Sequence, residues 1–347
     1  MHMADALLSP AVGGTMWAAT AGLAAYAAKK TQRDLDEQKV PLMGVLGAFV
    51  FAAQMINFSI PGTGSSGHLG GGLLLAILLG PYAGFLVMAS ILVIQALFFG
   101  DGGLLALGCN IFNLGFYPCF IAYPLLFKPL VKKEITPKRI FGASMSAAII
   151  GLQLGAFSVV LETIFSGISE LPFKHFVLLM QPIHLAIGIV EGLITAAVVR
   201  FVWKARPEIL EKTAVLQPYG NISIKPVLIA FVILALLTGG ALSWFASTCP
   251  DGLEWSIFHV SGKEELNTSS SVHESLAKIQ EKTAFLPDYE FKVSRSKESQ
   301  AVENKETPEW PAVDAGTSVA GVVGAFMTLV LTVFIGFGLK TLRKHSS

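Results

Sequence analysis

The chain has 347 residues, 53% hydrophobic and only 14% charged, with a net charge of +1 and a mean hydropathy of +0.62. A soluble domain carries about 25% charged residues, so this composition excludes an ordinary globular enzyme. It points to helical membrane spans, because a helix satisfies every backbone group of an apolar run in lipid. There is no GxxxxGK[ST] run for a nucleotide and no nucleic-acid signature, and Cys109, Cys119 and Cys249 form no metal-ligand spacing.

In chain order, Met1-His2-Met3 comes first. No basic stretch, apolar run or cleavage site stands before it, so this end reads as the mature one. His2 is bulky enough to discourage removal of Met1, which leaves a free α-amine. That amine, the His2 amide nitrogen and the His2 imidazole can close a five-membered and a six-membered chelate ring around one cation, the second through the δ nitrogen. A planar, all-nitrogen set suits Ni(II) or Cu(II) better than zinc. On the tripeptide alone, an accident of composition is the commoner explanation.

The first predicted span covers 13–28, followed by a charged loop, 29–39. The second, 41–58, carries Gly44, Ala48 and Ala52 at four-residue spacing, a stripe that lets another helix approach closely. Residues 59–72, with six glycines in fourteen positions, cannot be a lipid-facing helix and must be buried or line a cavity. His68 lies within this stretch. The apolar run 73–99 reads either as one helix or as two spans, 70–79 and 82–99, broken at Gly80-Pro81. A GDGG turn at 100–103 leads into a span at 104–127, a loop at 128–139 with five Lys/Arg, and spans at 140–165 and 175–203. After a linker come two more spans, 226–246 and 316–339, separated by a polar segment, 247–312.

Basic loops face the cytoplasm. With loop 29–39 inside, the broken reading of 73–99 also puts 128–139, 200–212 and 340–344 inside. The sequence therefore predicts an all-α polytopic membrane protein. Residues 1–205 form a seven-helix bundle with a re-entrant Gly-rich outer loop, 206–225 a cytoplasmic linker, and 226–347 a two-span domain. The amino terminus is outside and the carboxyl terminus in the cytoplasm. This topology gathers His2, His68, Asp101 and the start of the His184 helix at the outer face.

His68 is thus a candidate fourth ligand, against the plainer reading of a loop histidine in water. His184 and Glu191, seven apart, share a helix face and are candidates for the metal's outer shell or an ion pathway, or a structural pair. Asp101, Asn110, Asn113 and Gln95 read as polar packing near the same cavity. An ion- or proton-coupled transporter using His184 and Glu191 is the alternative function.

The stretches MHMADALLSP, GSSGHLGGGLLLAILLGPYAGFLV, QALFFGDGGLLALGCNIFNLG and IHLAIGIVEGLIT resemble the membrane substrate-capture subunit of energy-coupling-factor nickel and cobalt transporters, the CbiM/NikM type. Residues 226–339, with PDGLEWS at 250–256, resemble the small accessory subunit of the same systems, fused behind it. The resemblance implies a metal substrate, Ni2+ or Co2+, held by the Met1 amine, the His2 amide and imidazole, and His68. It implies a transmembrane scaffold subunit and two cytoplasmic ATPases as partners in the cell membrane, with cobalamin biosynthesis as one use of the metal. The Gly44/Ala48/Ala52 stripe would then be a docking face for the scaffold. The segment 257–312 departs from the family in length and charge, and its composition reads as disordered.

Overall fold

The computed structural model describes residues 2–169, 171–263, 266, 270–291 and 311–346. Its helices are α1 (Pro10–Asp34), α2 (Lys39–Gln54), α3 (Gly72–Leu79), α4 (Pro81–Ile94), α5 (Leu107–Ile111), α6 (Lys128–Val131), α7 (Pro137–Ser166), α8 (Phe173–Ala205), α9 (Pro207–Ala214), α10 (Lys225–Gly240), α11 (Gly252–Ser261), α12 (Ser271–Thr283) and α13 (Ala315–Ser346). Two π-helical stretches extend them: Gln95–Phe99 continues α4, and Phe112–Phe127 joins α5 to α6. The second contains Pro118 and Pro124. Proline has no amide hydrogen to give to a helical ladder, and a widened turn absorbs that loss.

Local chemistry explains the boundaries. Ser9 accepts from Val12 N ahead of Pro10, and Thr136 accepts from Arg139 N ahead of Pro137; both are N-caps with proline in the first turn. The apolar run 73–99 does break at Gly80, whose φ of 85° ends α3 while Pro81 starts α4. At eight residues, α3 rises only about 12 Å, well short of a hydrocarbon core about 30 Å thick.

Among the described residues five helical runs are long and apolar enough to cross a membrane: Pro81–Phe99, Leu107–Val131, Pro137–Ser166, Phe173–Ala205 and Ala315–Arg343. Helices α2 and α10 are apolar but have 16 residues each. Large exposed apolar side chains, among them Phe165, Leu185, Leu193, Leu236, Phe326 and Phe334, mark the faces turned outward to lipid. The fold is an all-α membrane protein.

Helix α2 lies at the centre, almost wholly buried, with α4, α10 and α13 packed around it. Gly44, the first residue of the stripe predicted for a scaffold subunit, faces the chain's own last helix. A Cβ on Gly44 would lie 2.6 Å from Val333, and Gly47 meets Thr328 and Thr332. Helices α7 and α8 form an antiparallel pair, so the loop before α7 and the end of α8 share one side. Tyr219 OH donates to Leu78 O, Asp36 accepts from Gly220 N and Lys340 donates to Glu37. These bonds gather residues 35–37, 206–224 and 340–343 at that same side.

The polar segment 247–312 is not featureless. Helix α11 begins with a capping box in which Asp251 accepts from Leu253 N and Glu254 N, while Glu254 accepts from Asp251 N. Helix α12 is capped by Ser270. A composition too polar to fold alone becomes helical here because it docks on the rest of the chain. Residues 292–310 lie outside the described residues.

Helices α10 and α13 cross where Gly239 and Gly321 touch backbone to backbone, with no room for a Cβ on either. Gly321→Val is expected to destabilise the protein by about 1–3 kcal/mol through overpacking. Thermal unfolding in detergent measures the loss.

Candidate metal site

The amino-terminal limb is threaded into the bundle. The Met3 peptide is held on both sides: its N–H donates to Asn110 Oδ1 at 2.8 Å, and its carbonyl accepts from Gly103 N at 2.9 Å and from Asn110 Nδ2 at 3.3 Å. Its side chain is fully buried, as are Leu7 and Leu8. Asp5 accepts from Ala106 N at 2.9 Å, which fixes the limb on the turn before α5. Gly102, at φ 79°, brings its backbone close to the His2 Cβ, a conformation that suits glycine. Met1 lies outside the described residues.

His2 and His68 meet here. Their rings stack with centroids 5.0 Å apart and planes 19° from parallel. Burial pushes both imidazoles down, each to about 3, so both are neutral near pH 7, the protonation state that binds metal. His2 Nδ1 lies 3.3 Å from Asp101 Oδ1, and His68 Nδ1 lies 3.0 Å from Leu69 O. Burial raises the Asp101 carboxyl above its ordinary range, with Tyr289 opposing; the Tyr289 hydroxyl donates to its Oδ2 at 2.5 Å.

The Gly-rich segment that carries His68 is a hairpin whose turn is exposed and whose second strand is buried. Strands β1 (Phe58–Ile60) and β2 (Ser65–Gly67) pair antiparallel around a turn with positive φ at Gly62 and Gly64. Past His68 the backbone is caught by Glu191 on α8. Gly70 N donates to Oε2 at 2.9 Å and Gly71 N to Oε1 at 3.1 Å. These amides open α3, so the carboxylate also faces the positive end of a helix dipole. On the other side Gln54 donates to Gly70 O at 2.8 Å and is itself bonded by Gln95 at 2.9 Å.

The C-terminal part completes the surroundings. Residues 247–251 run along β2: Ser66 N donates to Pro250 O at 2.8 Å, and Ser66 bridges to Asp251. His273 on α12 lies 3.0 Å and 2.9 Å from the carbonyls of Asp5 and Leu8. Gln280 donates to Ala96 O and Gly102 O at 2.9 and 2.7 Å.

Residues 2–209 match the CbiM family, the cobalt uptake substrate-specific transmembrane region. The chain belongs to this family. Residues 225–341 match the PDGLE domain, so a CbiM/NikM-type part and a NikN-type part are fused in one chain. Over 344 residues, 98% of each chain, it is 32% identical to a protein of Archaeoglobus fulgidus provisionally named fused nickel transport protein NikMN. It is 38% identical over 210 residues, 60% of this chain and 93% of the other, to a protein of Haloquadratum walsbyi provisionally named a metal transport protein. Fused nickel transport protein NikMN of Rhodobacter capsulatus is 32% identical over 225 residues, 60% of this chain and 64% of its own. A solved transition metal transporter matches 59% of this chain and 93% of its own at 32% identity and a TM-score of 0.52.

Within this CbiM-family chain the residues singled out from the sequence take different places. His2, His68 and Asp101 come together, and Asn110 clamps the limb beside them. Asn113 donates to Glu162 at 2.8 Å behind the Met3 sulfur. His184 and Glu191 do not pair with each other. His184 Nδ1 contacts Met180 O in its own helix, while Glu191 holds the hairpin. Among the described residues no group of three or more His, Cys, Asp or Glu is arranged to hold a metal. Sequence reasoning missed Gln54, Glu162, Asp251, His273, Gln280 and Tyr289. A lone carboxylate inside an apolar run flags Glu162, and the capping box flags Asp251; no local signal marks the last three.

Glu191→Gln leaves one amide facing an NH2 group in a buried place. The expected loss is about 1.5–3 kcal/mol, the range for a hydrogen bond to a charged group, seen as a lower unfolding temperature in detergent. Glu191→Asp, one methylene shorter, should lose less.

Proposed function

We propose that this chain is the substrate-specific component of an energy-coupling-factor importer for nickel or cobalt. It takes the ion at its outer face and delivers it inward. The observation that carries this reading is the stack of two neutral, buried imidazoles, His2 and His68, from segments 66 residues apart. Family membership and the names of the relatives, as nickel and cobalt transport proteins, support the substrate class.

In this reading the Met1 amine, the His2 amide nitrogen and the His2 and His68 imidazoles make a planar set of four nitrogens, a tetragonal arrangement favoured by Ni(II). Two of the four are main-chain nitrogens, which agrees with the lack of a three-residue side-chain cluster among the described residues. His2 Nδ1 gives up Asp101 when it takes the ion. The limb is already held by Asn110, Gly103 and Asp5, so binding has little chain to order.

The energy comes from other chains, a membrane scaffold subunit and two ATPases, because this one has no phosphate-binding loop. The amino terminus lies outside and the side of the bundle that carries the basic loops, 29–39, 128–139, 200–212 and 340–344, in the cytoplasm. An ion-coupled mechanism through His184 and Glu191 is less well supported, since Glu191 is committed to two backbone amides.

One alanine added before Met1 moves the amine out of the chelate. Nickel affinity, read by isothermal titration calorimetry, should then fall by more than the roughly 10–100-fold typical of an outer-shell change, and His68→Ala should act in the same direction with the fold intact. Normal binding by both variants would place the site elsewhere.

The two imidazoles, titrating near 3, carry no protons to lose at neutral pH. The amine and the amide do, so the uptake of one ion at pH 7 should release about two protons. Affinity therefore falls as pH drops. Titrations in buffers of different ionisation enthalpy count the protons.

A further inference from the structure

Between the amino-terminal limb, the GDGG turn and helices α11 and α12 lies a cavity of about 610 Å3 that reaches His2. Six carboxylates line it: Asp5, Asp101, Asp251, Glu254, Glu274 and Asp288. No lysine or arginine is among its described lining residues. The His2 side chain at its inner edge is 8% exposed, and its Nε2 has no hydrogen-bond partner among the described residues.

Local structure explains only some of these carboxylates. Asp5 holds the turn before α5, Asp101 takes the Tyr289 hydroxyl, and Asp251 and Glu254 form the capping box. Among the described residues, the side chains of Glu274 and Asp288 have no such bond. They add negative charge to a space that already has it, an arrangement that raises the energy of the empty protein unless cations enter.

We propose that this cavity is a vestibule for hydrated divalent cations, an anionic antechamber that takes four of its six carboxylates from the PDGLE part of the chain and empties onto His2. The proposal rests on the reading of His2 as a metal ligand and gives the fused C-terminal part a function of its own. A cleft lined by one sign of charge focuses the field and raises the local concentration of the opposite ion, speeding association by about 10- to 1,000-fold. Carboxylates accept magnesium, calcium and manganese as readily as nickel, whereas imidazole and amide nitrogens favour the later transition metals. Collection and selection are therefore separate: the vestibule gathers divalent ions of any kind, and the nitrogen site behind it chooses.

The test uses the full chain in nanodiscs and nickel chloride, with stopped-flow absorption of the bound ion giving association and dissociation rates over a range of ionic strength. Wild type is compared with the triple variant Glu254→Gln, Glu274→Gln, Asp288→Asn. The amide oxygen that Glu254→Gln leaves can still accept in the capping box, and asparagine tolerates the positive φ of 51° at position 288. The expected result is an association rate at least about 10-fold lower at low salt, with a shallower salt dependence. The dissociation rate and the absorption spectrum stay the same. Millimolar magnesium should slow nickel association in wild type far more than in the variant.

Equal association rates and equal salt slopes, with nickel bound normally by both, overturn the vestibule and leave the His2 site standing. A wild type that binds no nickel overturns the His2 reading and the vestibule together. Should the triple variant fail to fold, Glu274→Gln alone decides the matter. It alters one exposed side chain on α12 and should slow association by about 2-fold or more at low salt, an unchanged rate counting against the proposal.

Discussion

Two backbone amides, those of Gly70 and Gly71, converge on the single buried carboxylate of Glu191, and the placement of His68 depends on that convergence. A glycine-rich strand has little side-chain packing of its own and loses more freedom on ordering than any other sequence. Buried within a membrane protein, its peptide groups also need partners. Glu191 supplies two acceptors from α8 and Gln54 supplies a donor from α2, so one short stretch is fixed by a helix 16 residues before it and another 121 residues after it. Glycine is required for the approach: a Cβ on Gly70 would lie 2.8 Å from the Glu191 oxygen.

The opposite half of the site follows the same logic with different groups. The limb bearing His2 has no helix of its own beyond one short turn, Asp5–Leu7. It is positioned by the Asn110 amide, which accepts from the Met3 N–H and donates to the Met3 carbonyl, and by the burial of Met3, Leu7 and Leu8. Hydrophobic anchoring sets depth, and the paired hydrogen bonds set register. Between them they bring an otherwise free chain end to the hairpin.

Much of this is readable from the sequence, and what is not has a common cause. Proline after glycine at 80–81 marks the break between α3 and α4, and six glycines among fourteen residues mark a hairpin whose second strand is buried. The four-residue stripe at Gly44 names a face and not the neighbour; at Gly44 the neighbour is α13 of the same chain. His184 and Glu191 share a face as their spacing requires, yet their partners, a carbonyl one turn back and two amides in a hairpin 120 and 121 residues away, separate their roles. Residues 271–290 show the limit most plainly. Their composition is that of a soluble tail, and their order comes from contacts of His273, Gln280 and Tyr289 with carbonyls and a carboxylate of another domain. Such tertiary contacts leave no trace in local propensity.

The segment that carries those three residues is tied at both ends, by α10 and by α13, to helices packed on α2. Among the described residues, its grip on the limb and the GDGG turn includes the polar contacts of His273, Gln280 and Tyr289. Joined in one chain, they act at the high effective concentration of a tethered group. A fused wall of this kind is never lost to dilution and never has to be found by diffusion.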